Sequence, residues 1–197
     1  EQHVGYCVCS HGTSWGEWGS PSSEEVIKKR LIDLLKPGAD LTWANLSSAR
    51  LTGIDLSGAN LSKVDLSGKN LSDAKLVGTF FVDANLHSAV LKNADLHNAD
   101  LWSANLSSAN LRSADLTSAD LRSASLKWAK LRNGVLEEAV ATGANLSGAE
   151  LTNASMRHMN LIEADLTKAW MMGANLTDAN LTNANLTNAN LTNANLT

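Results

Sequence analysis

Few residues of this chain are equipped for chemistry, and the first of them gather near its start. Cys7 and Cys9 stand one residue apart, with His3 and His11 close by. Two thiolates and two imidazoles are the donor set of a structural zinc site. The Cys-x-Cys spacing matches no standard finger, and a bridge between the two would close a very tight, strained loop. Free thiols are therefore the leading expectation; pairing with another chain and a Cys2His2 set are the alternatives. His87, His97 and His158 read as isolated outward positions on different sides of the fold. Ser and Thr abound as repeat filler, and no Ser-His-Asp spacing stands out. The expectation is a non-enzyme with no metal, no cofactor and no small-molecule substrate.

Charge narrows the field further. Charged residues make up 18% of the chain and the net charge is -4. That balance argues against the basic footprint of a nucleic-acid binder. No apolar run approaches the length of a membrane span. Aromatic residues are 5%, so Leu and Ala must supply the core.

Three segments would position these groups. Residues 1–21 are rich in Gly, Ser and aromatics, without helical periodicity, and read as an irregular arm that Trp15 and Trp18 dock. Residues 22–38 read as a helix and its closing turn. Ser22 and Glu25 fit a Ser-x-x-Glu capping box, and Lys36-Pro37-Gly38 ends the run. Ile27, Leu31 and Leu34 fall on or near its apolar face. That face predicts an N-terminal cap on whatever core follows, because a repeat array needs its ends covered.

From Ala39 to Thr197 the chain divides every five residues without insertion or deletion. Ala39-Asp-Leu-Thr-Trp43 is the first unit and Ala189-Asn-Leu-Thr-Asn193 the last complete one. The first position is mostly Ala and the third nearly always Leu. The second is mostly Asp or Asn, the fourth often Ser or Thr, the fifth Ser, Gly or Asn. A 3.6-residue helix cannot hold a five-residue apolar register, since the drift would carry Leu around the whole axis.

The pattern Ala-(Asp/Asn)-Leu-x-x resembles that of the pentapeptide repeat proteins. The resemblance implies an all-β fold: a right-handed quadrilateral parallel β-helix, here with an N-terminal α-helical cap. Four pentads would make one square coil, with residue n lying over n+20. Residues 39–197 would then form about eight coils, a rod roughly 40 Å long at one strand spacing per coil.

On that geometry the departures become readable. Ala141 stands where Leu belongs, and Met159, at an Ala position one coil on, is expected to lean into the space. Lys69 takes an inward Ala position, so its stem should snorkel outward. Val77, Phe80, Val82 and Trp102 form a candidate interaction patch. Arg50, Lys92, Arg112, Lys130 and Arg132 form a candidate basic stripe. Trp43 over Lys63 and Trp102 over Arg122 are candidate cation–π pairs.

These features predict a scaffold or protein-interaction module that self-associates through an uncapped C-terminal coil, end to end, into oligomers or filaments. The family resemblance implies two alternatives. One is a DNA-mimicking regulator of a topoisomerase, which would call for a strongly acidic rod. The other is an assembly factor in a thylakoid lumen or periplasm, so an extracytoplasmic location is preferred over a cytoplasmic one.

Overall fold

A computed structural model of the protein describes residues 34–197. The arm, most of the expected cap helix, and His3, Cys7, Cys9, His11, Trp15, Trp18, Ile27 and Leu31 lie outside the described residues. Leu34 is helical and 48% exposed, while its neighbour Leu35 packs against the core.

From Asp40 onward, parallel bridges join residue n to residue n+20, as in Asp40 to Asn60 and Asn60 to Phe80, through to Asn175 with Asn195. The chain is therefore a β-helix, four pentads to a coil. The five residues from Ala59 to Lys63 show why the pattern folds this way. Ala59 N–H donates to Leu56 O at 2.9 Å and closes a tight turn. Asn60 N–H donates to Ala39 O in the coil before, at 2.8 Å, and Leu61 N–H to Phe80 O in the coil after, at 2.7 Å. Lys63 N–H also reaches the coil after, at Val82 O, 2.9 Å away. The remaining amide, Ser62 N–H, donates to the Asn60 side chain at 3.0 Å. All five amides have partners, as a stable backbone requires. The second-position Asp or Asn thus caps the one amide that the ladder leaves over.

The fifth residue adopts a left-handed φ in every pentad from Trp43 to Asn193 except that of Ser48. A positive φ at the third residue of a four-residue turn marks type II geometry, which favours Gly and Asn. Trp43, Lys63, Trp128, Glu138 and Lys168 adopt it as well. Each such residue gives up roughly 1–2 kcal/mol relative to an ordinary backbone conformation.

The third-position Leu residues fill the axis, with Leu56 through Leu76 fully buried, and Phe81, Met156 and Met171 take the same place. Thr79, a polar residue at an Ala position, is also fully buried, and its Oγ1 donates to Leu56 O at 2.8 Å. Lys69 snorkels as expected: its Nζ leaves the interior for the Ser47 carbonyl. Met159 and Ala141 are both fully buried, so Met159 lies inside rather than toward solvent. Val64 is buried and Ile54 partly so.

Candidate interaction faces

The coil register sorts outward side chains into four sides. On the side that begins at Ala39, Phe80 and Trp102 are each 47% exposed, and Val82 lies between them, partly exposed. Asp83 N–H donates to Trp102 O, which places Val82 and Trp102 in one fourth-position column, one coil apart. Val77 is half-buried on the adjoining side. Asp83, Asp100 and Asp120 edge this cluster.

Trp43 and Lys63 form the expected cation–π pair, with Nζ 5.3 Å from the ring centre. Trp102 and Arg122 do not. Arg122 instead grips Asp120, with its Nε 2.9 Å from both carboxylate oxygens and its Nη2 2.5 Å from Oδ2. A bidentate charge-assisted pair outweighs an exposed cation–π contact worth under about 1 kcal/mol. Burial opposes ionisation of Asp120, yet the hydrogen bonds and charge of Arg122 hold its carboxyl below the ordinary range.

Asp40, Asp55 and Asp65 are likewise held low. The Thr42 hydroxyl and then its amide act on Asp40, and the Ser57 hydroxyl and then its amide on Asp55. For Asp65 the Ser67 amide leads, followed by the Ser67 hydroxyl. Position-four Ser and Thr thus reinforce the cap with their hydroxyls, as in Thr42 Oγ1 to Asp40 Oδ1 at 2.7 Å.

The opposite side, which begins at Ala49, carries Arg50, Lys92, Arg112, Lys130 and Arg132. Lys92, Arg112 and Arg132 share one fourth-position column, since Asn93 N–H donates to Arg112 O and Ser113 N–H to Arg132 O. Arg112 pairs with Glu150 at 3.3 Å, and both are substantially exposed.

Two further large exposed residues escaped the sequence reading. Trp170, 54% exposed, stands above Glu150 on the basic side, with Met172 beside it. Trp128, 51% exposed, lies at a corner against buried Gly148, where a Cβ would meet the ring at 2.3 Å. The n+20 register alone is enough to place both.

The histidines are not all on different sides. His97 and His158 share the side of Ala74, three coils apart, or roughly 14 Å at one strand spacing per coil. His87 Nδ1 lies 3.0 Å from Ser107 Oγ, and His158 Nδ1 lies 3.6 Å from Asp178. Among the described residues no three His, Cys, Asp or Glu side chains gather as a metal site, and no helix is long and apolar enough to cross a membrane.

The family model described as pentapeptide repeats matches residues 38–68, 70–102, 103–137, 119–157, 142–178 and 160–197, with 8 copies. No curated protein sequence matches significantly. Among solved structures, HetL is a pentapeptide repeat protein involved in heterocyst differentiation regulation, from the cyanobacterium Nostoc sp. strain PCC 7120. It is 33% identical, covering 81% of this chain and 82% of its own, with a TM-score of 0.41. A trypsin-treated form of QnrB1, a plasmid-mediated fluoroquinolone resistance protein, is 22% identical over 82% of this chain and 84% of its own, with a TM-score of 0.66. A pentapeptide repeat protein of the Arabidopsis thaliana thylakoid lumen is 31% identical over 53% of this chain and 69% of its own, with a TM-score of 0.38.

Proposed function

Because this chain belongs to the pentapeptide repeat family, we propose that it is a non-enzymatic scaffold whose flat sides bind proteins. The observation that carries the reading is the Phe80–Val82–Trp102 cluster on a rigid ladder. Exposed apolar side chains grouped on one side mark a contact surface better than the same residues scattered would. The rod is held by backbone hydrogen bonds between all successive coils, so such a surface is presented without reorganisation, which lowers the entropic cost of binding. Residues 22–38 are read as its N-terminal cap, with Leu35 at the point of contact.

Self-association is part of this reading. The last described coil leaves Leu181, Leu186 and Leu191 partly exposed and Leu196 55% exposed. The DNA-mimic alternative has less support, because Lys75 interrupts the column of Asp55, Asp95 and Asp115.

The test is proximity crosslinking in the source cell with the wild type and with Phe80→Glu/Trp102→Glu. Loss of specific crosslinked products, with an unchanged circular dichroism spectrum, is the expected result. Identical products from both proteins would remove this side as a contact surface.

A further inference from the structure

Charge and apolar surface are distributed unequally over the four sides, and two opposite sides carry opposite charge overall, matched most closely at the heights of Asp83 and Asp100. The side of Ala39 carries Asp40, Asp83, Asp100, Asp120 and Glu163 against Lys63 and the paired Arg122. The side of Ala49 carries Arg50, Lys92, Arg112, Lys130 and Arg132, with Lys69 at its corner, against Asp73 and Glu150. Parallel bridges from Asp40 to Asn60, Phe80, Asp100 and Asp120 give the heights on the first side. Those from Asn70 to Val90, Asn110, Lys130, Glu150 and Trp170 give them on the second.

At the height of the first coil an acid, Asp40, stands opposite a base, Arg50. One coil up the first side carries Lys63, and the second carries Asp73 together with the outward Lys69. In the next coil Phe80, Val82 and Asp83 match Val90 and Lys92. Asp100 is then level with Arg112, which also reaches Glu150, and the Asp120–Arg122 pair is level with Lys130 and Arg132. Near the top, Ile162 matches Trp170 and Met172. The match lapses at the coil of Val140 and Glu150, where Glu150 is already engaged by Arg112.

We propose that copies of this chain pack side by side in parallel, the Phe80–Trp102 side of one rod against the Arg112–Trp170 side of the next. This deepens the self-association part of the reading above, on which it rests, and places that association on the flanks rather than at the ends. A translation by one rod width keeps every coil at its own height. It therefore sets the first side of one copy against the second side of its neighbour with matched charges level. Lys63 favours this parallel register over a shifted one, because a shift by one coil in either direction sets it against Arg50 or Lys92 in place of the mixed Lys69 and Asp73. A contact between two different sides is heterologous, and by translation it does not close, so the product is an open ribbon of rods. Opposed charges set register and orientation, and the exposed aromatics on both sides supply the apolar area.

The test uses the full chain in sedimentation velocity at low salt and at about 1 M salt, where the Debye length falls to about 3 Å. Species larger than the monomer are expected at low salt and should shrink as salt rises. Two charge-reversed variants complete it: Lys92→Glu/Arg112→Glu on one side and Asp83→Lys/Asp100→Lys on the other. Each alone should stay monomeric, because at the two reversed heights its opposed sides then carry the same sign. Mixed in equal amounts, they should recover the large species. Circular dichroism checks that both fold. If either variant alone assembles as the wild type does, or if the mixture stays monomeric, the lateral register is wrong and association through the ends stands. A wild type that is monomeric at low salt and high concentration overturns self-association altogether, leaving docking of a different protein at Phe80 and Trp102 untouched.

Discussion

Asp40, Asp55, Asp65 and Asp120 each cap an amide two residues on, and each carboxyl is held below its ordinary value of 3.8. A carboxylate whose folded value is depressed stabilises the fold fully above its unfolded value. That contribution is lost as pH falls through the lower, folded value. The melting temperature should therefore be flat from neutrality toward pH 4 and fall in more acid solution. Asn accepts the same amide bond without titrating, as Asn60 does for Ser62. Replacing all four aspartates by Asn should lower the neutral melting temperature modestly, since the charge-assisted bonds and the Arg122 pair are lost, and flatten the acid limb, measured by thermal denaturation across pH. An acid limb as steep as the wild type's would place the titration elsewhere. The alternation of Asp and Asn at position two was plain in the sequence; its purpose was not, because an outward polar residue looks like solvated filler until the fourth-position amide is seen to lack a ladder partner. Arg122 shows a related limit. Its stacking on Trp102 was argued from the n+20 register alone, while the competing carboxylate lay two residues away along the chain.

The pentad itself was largely legible, since Leu and Ala at fixed positions can face only the axis in a four-sided coil. Its corner was not. Ser, Lys, Glu and Trp at position five carry no obvious sign of a left-handed backbone, and only the Gly and Asn copies hint at it. The irregular pentads remain the sharpest probe of packing. Ala141 leaves the volume of a Leu side chain unfilled, and Met159, buried one coil above at the adjacent inward position, is placed to fill it. Met159→Ala alone should then cost about 2–5 kcal/mol through an unfilled cavity. Ala141→Leu alone should overpack the same space, at about 1–3 kcal/mol. The double variant restores the regular pattern and should recover most of the stability in urea unfolding. Additive losses would mean that the two sites do not share one space.

For the whole molecule, the one-rule register made the coil number and the side of every residue calculable. What remained hidden was how the sides relate to one another, because opposite flanks lie ten residues apart in sequence and no local pattern pairs them. The register also predicts tolerance to large excisions. Removing Ala104–Ser123, one full coil, brings Ser103 to Ala124 with every side still aligned. The shortened chain should fold to the same circular dichroism spectrum and a rod shorter by about 4.8 Å in small-angle scattering. A disordered product would show that coils are not interchangeable. The uninterrupted spacing of five has a last consequence, for heredity rather than mechanics. In the gene, an in-frame slip of five codons inserts or removes one edge of the square, so it turns everything above it by a quarter-turn while leaving the stack intact. Replication errors in such a tract are thus rotations of one surface pattern over another, and the chain can try new alignments of its flanks without first learning to fold again.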